Sequence, residues 1–213
     1  MRDPVNSLTH LTAAALAVAG VIPLWTGSRG DLPKQISLLI FGASLALMYL
    51  SSAAYHMLPA SPERRLLLRR IDHSFAFILT AGTYTPVCFT VLIGGWRWGM
   101  LAMIWSLAAL GVLFKVFFLH VRRWFYTSIY VVMGWMIILA MGQLARMLPA
   151  TAIGLMFAGG ITYTVGAMIY AIKRPNPIPG FFGFHEIWHL FAIGGSAFFY
   201  IMILLYVVPF DRG

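Results

Sequence analysis

Acidic residues are scarce in this chain, with six Asp and Glu among 213 residues, and charged residues of both signs make up only 10% of it. Soluble domains carry roughly a quarter, so an ordinary water-soluble domain is excluded. Cysteine is almost absent. The one present, Cys88, lies inside an apolar run, which leaves no internal disulfide and no cysteine framework for a metal. There is no low-complexity segment and no internal repeat, and no link is long enough to separate a second domain. Residues 1–213 therefore read as one domain.

What the chain has instead is hydrophobic surface: 61% of its residues belong to the apolar set. A net charge of +9 often points to nucleic acid. Here, however, the Lys and Arg residues fall in short clusters between apolar runs, as membrane-flanking charge does, and no nucleic-acid partner is expected. The opening residues, MRDPVNSLTH, contain an acid and a proline and lead to no small-residue cleavage site. The first apolar run is therefore expected to be a retained span rather than a signal peptide.

A helix needs about 20 mostly apolar residues to cross a bilayer. Seven stretches qualify: Leu8–Gly27, Ile36–Leu58, Ile71–Ile93, Trp98–Leu119, Phe125–Ala145, Thr151–Ile172 and Glu186–Val208. Trp25, Trp96, Trp98 and Trp124 sit at their ends, where interfacial aromatic belts form. The expected fold is thus an all-α integral membrane protein, a seven-helix transmembrane bundle with its termini on opposite sides. The face bearing the N-terminus collects ten positive residues: Arg2, Arg64, Arg65, Arg69, Arg70, Lys115, Arg122, Arg123, Lys173 and Arg174. The other face has five: Arg29, Lys34, Arg97, Arg146 and Arg212. The positive-inside rule then puts the N-terminus in the cytoplasm and the C-terminus outside. Lys115, one turn inside the fourth span, is expected to snorkel to the cytoplasmic face.

On this topology all six histidines, His10, His56, His73, His120, His185 and His189, fall on one face although they come from five helices. Only two acids, Asp72 and Glu186, lie at the mouth of a span, and both are on the histidine face. Ionisable groups at membrane depth are costly and pair with something functional; a metal cation is the common partner this set implies. His185 and His189 are i, i+4, so both imidazoles project from one helix face and two such nitrogens can bind one zinc ion. His56 is the best third ligand. Ser52 lies four residues before it, on the same helix face. Asp72 opens the next helix, and its carboxylate could bind zinc directly or hold a zinc-bound water. Three histidines plus water is the open geometry of a catalytic zinc.

HEIWH, residues 185–189, also matches the H-E-x-x-H signature of zinc metalloproteases, in which the glutamate is the general base. The rest of the seventh span, LFAIGGSAFFYIMILLY, offers no further His, Asp or Glu, so the third ligand must come from earlier in the chain. Glu186 then reads as an outer or interfacial residue. Asp72 could alternatively form a salt bridge to Arg69 or Arg70, and Ser52 could bond its own helix backbone. His10 could donate a hydrogen bond to a site residue, His73 points about 100° away from Asp72, and His120 reads as interfacial. Pro86, mid-helix in GTYTP, leaves backbone groups that Thr83 or Thr85 can satisfy. The pairs Gly159–Gly160 and Gly194–Gly195 suit close helix packing.

SSAAYH, RRIDHSFAFILTAGTYTP and HEIWHLF, with the N-terminal NSLTH, resemble the bacterial hemolysin III proteins, in the right order and over essentially the whole chain. These belong with the progestin and adipoQ receptor family, which includes the adiponectin receptors. The resemblance implies seven helices and Zn2+ near the cytoplasmic face of a bacterial inner (plasma) membrane. The metal ligands it implies are His56, His185 and His189, with Asp72 contacting zinc through water and Ser52 close by. The wider superfamily includes alkaline ceramidases, so a lipid amide or ester is the implied substrate class, and a membrane-homeostasis role is also attached to the bacterial members. Two readings follow. In one, Asp72 and Ser52 are catalytic in a zinc-dependent hydrolase of a membrane lipid. In the other, zinc is a structural clip in a receptor-like or membrane-sensing protein. A pore has little behind it, because no polar stripe runs across a helix.

Overall fold

The computed structural model describes residues 3–118 and 122–211, and these are helical almost throughout. The helices are α1 (Pro4–Gly27), α2 (Leu32–Met57), α3 (Pro62–Thr90), α4 (Gly94–Phe117), α5 (Arg123–Trp135), α6 (Met141–Met147), α7 (Ala150–Ile172) and α8 (Phe184–Met202). A 3₁₀ turn, Met136–Ala140, joins α5 to α6, and a π turn, Ile203–Val207, continues α8. Several helices start before the apolar runs do, because polar residues form their first turns. Asp31 Oδ1 accepts a hydrogen bond from the Lys34 backbone N–H at 3.0 Å at the head of α2, and Pro4, Pro33 and Pro62 supply a preset φ in the first turns of α1, α2 and α3.

Among the described residues, six stretches are long and apolar enough to cross a membrane: Pro4–Gly27, Leu32–Met57, Gly94–Phe117, Trp124–Met147, Ala150–Ile172 and Phe184–Val207. The remaining expected span, Ile71–Ile93, falls largely within α3. That helix has the length, 29 residues, but its first turns carry Glu63, Arg64, Arg65, Arg69, Arg70 and Asp72. It is also enclosed by its neighbours: Phe77, Ala81 and Cys88 are fully buried, with α2 on one side and α4 on the other. Elsewhere large apolar residues face outward, among them Leu16, Ile22, Leu110, Phe117, Val132 and Ile172. The interior holds small and polar residues such as Ser37, Ser44, Ser52 and Ser196. Inward polarity beneath an apolar exterior is the arrangement lipid selects.

The fifth span is not one continuous α-helix, contrary to expectation. The cause lies on α3. The Tyr84 hydroxyl accepts from the Ile137 backbone N–H at 2.8 Å and reaches the carbonyls of Met133 (3.0 Å) and Gly134 (2.8 Å). A side chain inserted into the i→i−4 ladder breaks it, and the chain continues as a 3₁₀ turn. Around Pro86, Thr83 and Thr85 donate to the Leu79 and Ala81 carbonyls at 2.8 Å each, rather than to the Gly82 carbonyl that Pro86 leaves without its helical donor.

Helix contacts are closest at glycines. Of the two glycine pairs, Gly159 and Gly195 carry the approach of α7 to α8: a Cβ on Gly159 would sit 2.7 Å from the Phe199 ring, and one on Gly195 would sit 2.5 Å from Tyr163. Gly82 of α3 is tighter still. A Cβ there would meet Ser44 Oγ of α2 at 2.0 Å and Ser44 Cβ at 2.8 Å. Overpacking of this kind costs about 1–3 kcal/mol. Gly82→Ala is therefore expected to lower the thermal unfolding midpoint in detergent, and adding Ser44→Gly should restore most of the loss. An unchanged midpoint in Gly82→Ala would contradict this packing.

Candidate metal centre

Three helix faces, buried except at the half-buried His185, meet at one end of the bundle. On α2 the face is Tyr49, Ser52, Ala53 and His56, at spacings of three and four residues. On α8 it is His185, His189, Ala192 and Ser196, and on α1 it is Asn6, His10, Ala13 and Ala17. These spacings place each set on a single side of its helix, so the polar groups of three helices point at the same space.

The start of α8 is fixed by its own sequence. Glu186 Oε2 accepts from the Gly183 backbone N–H at 2.8 Å, the half of a capping box that a glycine N-cap, lacking a side chain, allows. Asn176 Oδ1, in the preceding loop, accepts from the Phe184 N–H at 3.1 Å. Glu186 Oε1 also accepts from Asn6 Nδ2 at 2.7 Å, tying α8 to α1. The glutamate of HEIWH thus has both oxygens engaged in holding helices, which removes it from the base role a protease would give it.

His56, His185 and His189 converge, as the spacing argument expected. His185 Nε2 lies 3.3 Å from His56 Nε2 and 3.2 Å from His189 Nε2, and the trio forms a group able to hold a metal ion. His56 Nδ1 is 2.9 Å from Asp3 Oδ2. A carboxylate accepts only from a protonated nitrogen, so the proton sits on Nδ1 and Nε2 presents a lone pair to the other two rings. A single proton on His185 Nε2 can point at only one neighbour, so the two close pairs cannot both be well-directed hydrogen bonds. A cation among the three nitrogens relieves this, and the donor set is one that metals use.

Ser52 and Asp72 also meet, although they are not part of the three-histidine group. The Ser52 hydroxyl lies beside the Asp72 carboxylate, in the field of the Lys115 and Arg69 cations. His73 Nε2 is 3.9 Å from Asp72 Oδ2, and the His73 carbonyl accepts from the Tyr130 hydroxyl at 2.9 Å. Lys115 does not snorkel. It is 2% exposed, with its ammonium 3.4 Å from the centroid of the Tyr126 ring; an aromatic face and a carboxylate inside the bundle supply what the interface would have supplied. His120 lies outside the described residues.

Sequence reasoning missed two parts of the site. Asp3 was assigned to the tail because the apolar run begins at Leu8, yet it reaches His56. A deeper polar layer was also missed: the Tyr49 hydroxyl lies 2.7 Å from Ser196 Oγ, and the Tyr163 hydroxyl lies 2.5 Å from the same oxygen. His10 stacks on His189, with ring centroids 3.7 Å apart and planes 14° apart, and meets Tyr49 edge-on at 5.0 Å. Metal analysis of the purified protein is expected to find near-stoichiometric divalent metal, lost in each of His56→Ala, His185→Ala and His189→Ala. Metal retained in His56→Ala would break the joint contribution of α2 and α8.

Comparison with known proteins agrees with the motif reading. A family model described as Haemolysin-III related matches residues 1–200. Hemolysin-3 of Bacillus cereus is 38% identical over 208 residues, spanning 96% of this chain and 91% of that protein. Hemolysin-3 homolog of Bacillus subtilis (strain 168) is 37% identical over 205 residues, spanning 95% and 93%. With matches running nearly end to end and the histidine motifs gathered at one site, this chain belongs to the haemolysin-III-related family.

Proposed function

We propose that this protein is a seven-span membrane hydrolase that binds zinc through His56, His185 and His189 and cleaves an amide or ester bond of a membrane lipid. In this reading α3 is the seventh span, hidden from hydropathy by the charges in its first turns. The ten-to-five excess of Lys and Arg on the N-terminal face sets that end, and the histidines with it, at the cytoplasmic side of a bacterial plasma membrane.

The observation that carries the proposal is the spacing of the imidazole nitrogens. Zinc–nitrogen bonds of about 2.0–2.1 Å at tetrahedral angles separate neighbouring nitrogens by about 3.3 Å, and two of the three nitrogen pairs lie 3.2 and 3.3 Å apart. Three protein ligands leave a fourth position open, as catalytic sites require. Bound zinc supplies Lewis acidity there, acidifying water and polarising a carbonyl oxygen.

The chain's own residues supply the proton transfers. Asp72 takes the proton from the attacking water and returns it to the leaving nitrogen or oxygen. Ser52, beside Asp72 and one turn before His56 on α2, keeps the carboxylate on the side of the histidines. Lys115 and Arg69 supply compensating positive charge. An apolar groove of about 1020 Å³ between α1 and α2, running from Leu11 and Leu50 to Trp25 and Leu39, suits a lipid acyl chain.

A turnover assay with ceramides and ester lipids tests the proposal. Asp72→Ala is expected to lower hydrolysis by about 10²–10⁴-fold while metal content stays at the wild-type level; unchanged hydrolysis would sink the catalytic role. The second reading, zinc as a clip between α2 and α8, is favoured by the burial of His56 and His189, each under 5% exposed. It predicts no product from any lipid, together with a lower unfolding midpoint on metal removal, since binding energy becomes folding energy.

A further inference from the structure

Two helices provide all the ligands of the metal centre, but a third one touches them. The first turns of α1 lie against the histidines at three successive points. Asp3, the residue before α1, does not cap its own helix with its side chain. Its carboxylate accepts from His56 Nδ1 at 2.9 Å, and its backbone N–H donates to the His56 carbonyl at 3.3 Å. Asn6 holds Glu186, and through it the N-terminus of α8, at 2.7 Å. The Asn6 backbone is the polar group beside the His189 ring, whose Nδ1 is buried without a well-formed hydrogen bond. His10 lies flat on His189 at 3.7 Å and contributes no ligand atom to the three-histidine group. Residues 3, 6 and 10 are spaced as i, i+3 and i+7, one face of one helix.

We propose that this face of α1 is an outer shell of the metal centre, with Asp3 as the positioning residue for His56. The proposal rests on the metal-centre reading above. Its chemistry is direct. A carboxylate on Nδ1–H fixes the imidazole tautomer, aims Nε2 and makes it more basic, and such outer partners govern metal affinity. Asn6 acts on α8 as a whole by gripping its cap, and His10 fixes the plane of the His189 ring by stacking. The centre is therefore a three-helix device, with α1 holding and α2 and α8 ligating. Nothing in the hydropathy of α1 requires Asp3 or Asn6. Both lie ahead of its apolar run, at the only depth where they can reach the histidines.

The test uses the purified full-length protein, with Zn2+ affinity measured by chelator competition, Co2+ absorption as a reporter of ligand geometry, and thermal unfolding of the metal-free form. Asp3→Ala is expected to weaken Zn2+ binding about 10–100-fold and to shift the Co2+ bands, while the metal-free midpoint stays at its wild-type value. Asp3→Glu, which keeps a carboxylate, is expected to recover most of the affinity. Wild-type affinity and spectrum in Asp3→Ala would overturn the proposal. So would a loss that appears equally in metal-free stability and is not recovered by Asp3→Glu, since that marks a merely structural contact. A wild-type protein that takes up neither metal overturns the metal-centre reading itself, an outcome distinct from both.

Discussion

Three imidazole nitrogens gathered within 4.8 Å of one another, with that of His185 3.2–3.3 Å from both others, constitute the constraint on which the rest of this end of the molecule depends. Neutral rings cannot satisfy it by sharing protons, because His56 already gives its one proton to Asp3. The arrangement must be held by the surrounding helices or by a cation, and here the helices are plainly organised to hold it. Glu186 clamps the start of α8 and grips α1 in the same act, with one oxygen for each. Tyr49 reaches across from α2 to Ser196, one layer deeper. The Glu186–Asn6 and Tyr49–Ser196 contacts join α8 to α1 and to α2, and in lipid packing carries no hydrophobic driving force.

The fold concentrates its polar chemistry accordingly. Outward faces are apolar and project large side chains towards lipid, while hydroxyls and imidazoles point inward. The helix lacking the hydropathy of a span, α3, is the one enclosed by its neighbours, so its charged first turns are an asset. They present Asp72 to Ser52 and bring Arg69 and Lys115 to the same carboxylate. Lys115 turns inward rather than out to the headgroups, with its ammonium against the Tyr126 ring.

Much of this was legible in the sequence because it depends on spacing. Apolar runs of about 20 residues gave most helices to within a few positions, α3 excepted, which starts nine residues before the expected Ile71, and i, i+4 spacing placed His185 and His189 on one face. The convergence of His56 with them followed from the order of the spans. What escaped was whatever depended on a partner distant in sequence and lacking a periodic signal. Asp3 stood outside the apolar run and looked like tail; only the pairing of α1 with α2 shows it to be part of the site. Tyr49, Tyr163 and Ser196 sit in the middle of spans, where hydropathy registers them as ordinary residues. The break in the fifth span could not be read from MGWMIILAMG, because its cause, Tyr84, is 50 residues away. The snorkelling expected of Lys115 failed for the same reason: the rule describes one helix in lipid and takes no account of an inward acceptor.

The Tyr84 hydroxyl has a mechanical consequence. It stands in for backbone partners in the fifth span, touching Ile137, Met133 and Gly134 at once. A peptide group can trade one such partner for the next as a helix slides, whereas a phenol fixed to α3 cannot. Tyr84 therefore acts as a register pin that indexes α3 lengthwise against the fifth span. Asp72 lies 12 residues earlier on that rigid helix, about 18 Å away along its axis. The depth at which the carboxylate meets Ser52 is thus set from the opposite half of the bundle, by a hydrogen bond that touches none of the residues at the site.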